Sequence, residues 1–141
     1  MIKSERTSYG FRFYFISPIT AEETAVWSKE VAAELASNTD EFQVFADFQQ
    51  CELFPADAKP LLEEGQRCCL EHGMSRSVVV LKDNITAMQL RIVARRTGIL
   101  HGERYVICEN NPNWEEQAMD WLLHAKEPES HQRLGLNHPN F

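Results

Sequence analysis

Residues 11–35 read FRFYFISPITAEETAVWSKEVAAEL, and a change of period inside this stretch decides the fold. From Phe11 the apolar spacing is two. Phe11, Phe13 and Phe15 alternate with Arg12, Tyr14 and Ile16, which describes a strand with one fully apolar face. Pro18 ends it. From Thr20 the spacing becomes four: Trp27, Val31 and Leu35 form the buried stripe of a helix running to about Ser37. Thr20 and Glu23 stand at capping-box spacing, so the helix has a defined start.

The same alternation continues outward in both directions. Ile2–Thr7 reads as a short strand that turns through Tyr9-Gly10 to pair with the first long one. Downstream of an Asn38-Thr39-Asp40 turn, Phe42–Phe48 (FQVFADF) is a strand with Phe42, Val44, Ala46 and Phe48 on one face. Asp57 is the expected N-cap of a second helix, with Pro60 in its first turn, Leu61, Leu62, Cys69 and Leu70 as its apolar residues, and Gly73 as its stop. Ser77–Lys82, mostly SVVVL, is a β-branched run of the kind buried on both faces of a sheet. Asn84 then caps a third helix whose apolar side is Ile85, Met88, Leu90, Ile92 and Val93. RYVIC (Arg104–Cys108) is a further strand. Asn113, with Glu116 at the box position, opens a fourth helix that buries Trp114, Ala118, Trp121 and Leu122.

Strict βαβα alternation with short connections predicts an α/β fold: a single mixed, mostly parallel sheet of four to five strands covered by helices. The domain is expected over residues 1–125. Residues 126–141 are polar, without a clear period, and read either as a mobile tail or as a docked strap.

The bulk properties bound the function. At 141 residues, 43% hydrophobic and 25% charged, the chain has enough apolar material for one core. A formal charge of -7 opposes a general nucleic-acid surface. Cys51, Cys68, Cys69 and Cys108 match neither a CxxC redox pair nor a zinc site, and read as reduced thiols of a cytoplasmic protein. The start, MIKSERTSYG, lacks a signal-peptide core, and no apolar run is long enough to span a membrane.

Residues able to carry chemistry are sparse. There is no Gly-rich phosphate loop, no GxSxG and no HExxH, so neither a cofactor nor a metal is expected and the chain reads as a non-enzyme. Asp47, at the end of the second long strand, either caps the next loop or stands as a carboxylate without an evident catalytic partner. Arg91, Arg95 and Arg96 form the one concentrated basic feature. They suit an acidic partner or a phosphate group, or else a solvated face paired with the many carboxylates. His72 and His101 read as surface or capping histidines, and Cys51 has no basic neighbour to activate it.

Three stretches resemble the STAS or anti-sigma-factor-antagonist-like family: FRFYFISPITAEET (11–24), VFADFQQCELFPADAKPLLEEG (44–65), and SVVVL (77–81) taken with RYVIC (104–108) and WEEQAMDWLL (114–123). The resemblance spans roughly residues 10–125. It implies a non-catalytic regulatory domain that binds protein partners, some members of the family binding lipid or nucleotide. It also implies a Ser or Thr phosphoswitch at the start of the helix after the second core strand. Here Gln49–Pro60 holds no Ser or Thr, and Asp57 stands near that place as a fixed negative charge. A phosphate carries more charge and more acceptor oxygens, so the imitation is partial. The expected partner-binding residues are therefore Pro55, Asp57 and Lys59 at the corner, with Arg91, Arg95 and Arg96 as a second face. The alternative is a small-molecule or lipid carrier with a pocket among Phe11, Phe13, Phe15, Trp27 and Met88, residues that a filled core would use equally well. The sequence leaves the oligomeric state open; a twofold dimer through the aromatic-rich strand, placed at a sheet edge, or through a helix face is one assembly it allows.

Overall fold

A computed structural model describes residues 1–83, 90, 92 and 95–128. Its strands are β1 (Ile2–Arg6), β2 (Gly10–Phe15), β3 (Phe42–Phe48), β4 (Met74–Leu81) and β5 (Glu103–Ile107). The helices bounded within the described residues are α1 (Ala21–Leu35), α2 (Lys59–Glu71) and α3 (Trp114–His124). Between β4 and β5, Leu90, Ile92 and residues 95–97 are also helical. The strands form one sheet in the order β1-β2-β3-β4-β5. β1 is antiparallel to β2, and every other neighbouring pair is parallel. This is the mixed, mostly parallel α/β architecture that the alternation predicts.

From β2 to β5 each crossover moves one place in the same direction, and right-handed crossovers put the intervening helices on one face. Phe11, Phe13, Phe15, Val44, Phe48 and Val79 pack there against Trp27, Val31 and Leu35 of α1, Leu62 and Cys69 of α2, and Leu90. Phe15 stacks on Phe48 at 4.3 Å between centroids, and Trp27 meets Phe13 and Phe15 edge-on at 5.3 and 5.4 Å. α1 and α2 approach so closely at this ring that a Cβ on Gly65 would lie 2.3 Å from it. α3 lies on the opposite face, where Ala118, Trp121 and Leu122 cover Phe45, Val78, Val80 and Val106. The Trp121 indole N–H donates to the Ser77 carbonyl at 2.9 Å and fixes α3 over β4.

Several local expectations need correction. The aromatic-rich β2 is not an edge strand, because β1 pairs along its outer side. Thr20 does cap α1, accepting from the Glu23 amide at 3.1 Å. Asp57 does not cap α2: the chain enters that helix through a 3-10 turn, and its N-cap is Ala58 without a side-chain bond. The carbonyls of Pro55 and Ala56 take the N–H groups of Ala58 and Lys59 instead, so the turn satisfies donors that an Asp side chain would otherwise serve. Asn113 precedes α3 without a capping side-chain bond. Asn111 acts nearby, its amide donating to the Ile107 carbonyl and to Gln117. Leu70 is exposed, since Leu62 and Cys69 already define the inward stripe of α2. Ile92 is 58% exposed while Leu90 is buried, as expected for helical residues two apart, which point to nearly opposite sides. Asn84, Ile85, Met88 and Val93 lie outside the described residues.

Beyond α3, Ala125 adopts the left-handed conformation and the chain folds back. The Lys126 amide donates to the Asp120 carbonyl, Glu127 pairs with Arg104 at 2.8 Å, and Pro128 is buried. Residues 126–128 therefore dock on the domain, and residues 129–141 of the expected tail or strap lie outside the described residues.

Candidate functional site

The corner between β3 and α2 turns every third or fourth residue inward and leaves those between outside or half-buried. Cys51, Phe54 and Ala58 are buried in the core, and Leu53 between them is 62% exposed. The corner is pinned from the β2–α1 connection: Ser17 Oγ accepts from the Glu52 amide at 2.9 Å, and the Ser17 amide donates to the Gln50 carbonyl at 2.9 Å. Asp57 is exposed on the 3-10 turn, and Pro55 and Lys59 are half-buried beside it. Three of the sequence-derived site residues therefore share one surface with Leu53. Sequence reading passed over Leu53; the signal was an apolar residue placed between Cys51 and Phe54, in a loop too short to bury all three.

The arginines divide. Arg91 lies outside the described residues. Arg95 is exposed. Arg96 pairs with Glu63 of α2 at 3.3 Å, and Arg67 holds the other oxygen of that buried carboxylate. Glu63 lies four residues, about 6 Å of helix, beyond Lys59, so the Arg96 pair is on the helix that leads away from the corner. That ion pair is also what a solvated, carboxylate-paired face would show.

Two polar clusters lie elsewhere. On the face that carries α3, Arg12 pairs with Asp47 at 2.9 Å and lies 4.2 Å over the Phe45 ring and 5.0 Å over Tyr14. Burial alone would lower the Arg12 guanidinium, but its hydrogen bond to Asp47 and the neighbouring charges more than offset this and hold it up. Asp47 also accepts from the Gln49 amide at 3.1 Å, which makes it a cap of the loop after β3. In the helix-bearing core, Glu103 accepts from Tyr105 at 2.6 Å and Ser77 at 3.2 Å, wholly buried. Burial pushes its carboxyl up to about 7 against those bonds. This group faces a cavity of about 40 Å³, walled by Phe13, Trp27, Met74, Leu90 and Ile99. That volume holds a few water molecules and is far below the roughly 300–1,000 Å³ of ligand pockets.

The remaining candidates behave as structural groups. All four cysteines are unpaired thiols; burial pushes Cys51 up and Cys69 to about 12, which suppresses the thiolate. His72 Nδ1 donates to the Cys68 carbonyl at 2.8 Å at the end of α2. Among the described residues no group of three or more His, Cys, Asp or Glu is placed to hold a metal, and no helix is long and apolar enough to cross a membrane. Comparison with protein-family models, curated proteins and solved structures matches none of them to this chain.

Proposed function

We propose that the chain is a non-catalytic regulatory domain of the anti-sigma-factor-antagonist type, which binds a protein partner through the β3–α2 corner. The observation that carries this reading is the exposure of Leu53 on a corner whose flanking residues, Phe54 and Ala58, are fully buried. A turn pinned by Ser17 and holding one large apolar side chain in water supplies a preorganised anchor for a partner, rimmed by the charges of Asp57 and Lys59. Asp57 does not cap α2, which leaves its charge turned to solvent. The cavity inside the core, about 40 Å³, weighs against an internal carrier pocket, and the open groove of about 570 Å³ that Phe11 and Phe13 also line carries Glu30 and Glu34, which suit an apolar ligand poorly.

Affinity purification from the native cells, with mass spectrometry of co-eluting proteins and small molecules, tests the reading. The expected result is a stoichiometric protein partner that is lost on Leu53→Glu and weakened on Asp57→Ala. A partner retained by both variants would remove the corner from the interface. A bound lipid or metabolite without any protein would replace this reading with the carrier one.

A further inference from the structure

The outer edge of β1 has a polarity that fits a second copy of the same strand. β1 ends the sheet, and its exposed residues include Lys3, Ser4, Glu5 and Arg6. Backbone bonds at its two ends fix which groups face outward: the Ile16 amide donates to the Met1 carbonyl at 2.8 Å, and the Thr7 amide donates to the Gly10 carbonyl at 2.9 Å. In an antiparallel ladder the hydrogen-bonded residues alternate, each giving both its N–H and C=O to the same neighbour. Lys3 and Glu5, in step with Met1 and Thr7, therefore turn their backbone groups toward β2. Ile2, Ser4 and Arg6 turn theirs away from the sheet.

We propose that two copies of the chain pair through this edge, β1 against β1, antiparallel about a twofold axis at Ser4, joining their sheets into one. That register sets Ser4 opposite Ser4 and Ile2 opposite Arg6 at hydrogen-bonded positions, where every outward N–H and C=O finds a partner. Lys3 then faces Glu5 of the second copy, and Glu5 faces its Lys3. They meet at the non-hydrogen-bonded positions, where paired Cα atoms are only about 4.5 Å apart and side chains approach most closely. Registers centred one residue to either side set Lys3 on Lys3 or Glu5 on Glu5, so the charges select the axis at Ser4. On the face that carries α1 and α2, a groove of about 570 Å³ lined by Ser4, Phe11, Phe13, Glu30, Val31 and Glu34 runs along the same flank. The second copy supplies what the edge lacks, whereas lone charges on an edge strand serve to repel a neighbour. This inference does not depend on the proposed regulatory function.

The test is sedimentation equilibrium of the untagged full chain and of charge variants over a range of concentrations. Lys3→Glu and Glu5→Lys, each alone, put like charges face to face twice per dimer and should weaken dimerisation by about tenfold or more. The double variant Lys3→Glu/Glu5→Lys reverses both partners and should restore it. An equimolar mixture of the two single variants should form mixed dimers, because each then carries the charges that the other lacks. Ser4→Pro removes an outward N–H that β2 does not use, and should give a monomer with unchanged far-UV circular dichroism. A wild-type chain that stays monomeric at every concentration would overturn the proposal, as would a dimer indifferent to these charge changes.

Discussion

The two faces of the sheet are closed by different physics. On one face, α1, α2 and the helical residues before β5 seal a layer of phenylalanines by shape: Phe15 lies flat on Phe48, Trp27 stands edge-on between Phe13 and Phe15, and Gly65 leaves room for its ring. On the other, α3 covers Phe45, Val78, Val80 and Val106, while the half nearer β1 is roofed by Arg12 lying over Phe45 and tied to Asp47. The first face is filled by volume and should respond to any change of volume. The second depends on one hydrogen-bonded helix and two ion pairs, Arg12–Asp47 and the Arg104–Glu127 pair whose guanidinium lies over Trp121, and should respond to polar substitutions more than to size.

The sharpest way to break that contrast is to compare its two tryptophans. Trp27→Ala opens a void between α1, α2 and the sheet, and should cost about 3–5 kcal/mol in denaturant unfolding. Trp121→Phe keeps an aromatic ring under α3 but removes the hydrogen bond to Ser77, and should cost about 1 kcal/mol plus a smaller packing loss. Equal costs would mean that the two faces are not closed by different means.

Glu103 sharpens the comparison from inside the volume-filled face. Its carboxyl keeps a proton in the folded chain up to about 7, against an ordinary value of 4.5. The folded state therefore binds more protons than the unfolded one across that interval, so stability falls as pH rises. The contribution is fully present below about pH 4.5 and is lost as pH passes through about 7, a span on the order of 3 kcal/mol. Thermal unfolding of wild type and Glu103→Gln between about pH 5 and pH 8 checks this. The variant should lose most of the downward slope and gain on wild type at the alkaline end. Parallel pH profiles would show that Glu103 is already ionised at the acid end.

How much of this was legible in the sequence follows the reach of each interaction. Elements set by local period were readable: the alternation of Phe11–Phe15, the four-residue spacing of Trp27, Val31 and Leu35, and the continuous run Val78–Leu81. Their faces agree with the buried sets found on the two sides of the sheet. Caps were less readable, because a neighbouring turn can satisfy the same amides, as Pro55 and Ala56 do ahead of α2. Sites made across strands were not readable at all. Arg12 and Asp47 are 35 residues apart, and Ser77 and Glu103 are 26 apart, so only the parallel register brings them together. Leu53 is an intermediate case: the loop was visible as a corner, but which of its apolar residues stays outside depends on Phe54 and Ala58 filling the core first.

Arg12 serves the second face either as a roof over Phe45 or merely as surface charge, and its variants separate the two. Its side chain is 23% exposed and that of Asp47 is 11% exposed, between the regimes of exposed and buried ion pairs. Removing Arg12 strips the cover from Phe45 and leaves Asp47 with Gln49 as its remaining hydrogen-bond donor. Arg12→Ala should therefore cost about 1–2 kcal/mol, more than a surface pair and less than a fully buried one. In a double-mutant cycle with Asp47→Asn, the two losses should fall short of additivity by about 0.5–1 kcal/mol. Arg12→Leu separates the roles further: it keeps an apolar roof over Phe45 but gives Asp47 no charge. If Arg12→Leu matches Arg12→Ala, the ion pair dominates and the ring contact adds little. If Arg12→Leu recovers most of the loss, Phe45 needs cover more than Asp47 needs a partner, and the second face is closed by volume after all.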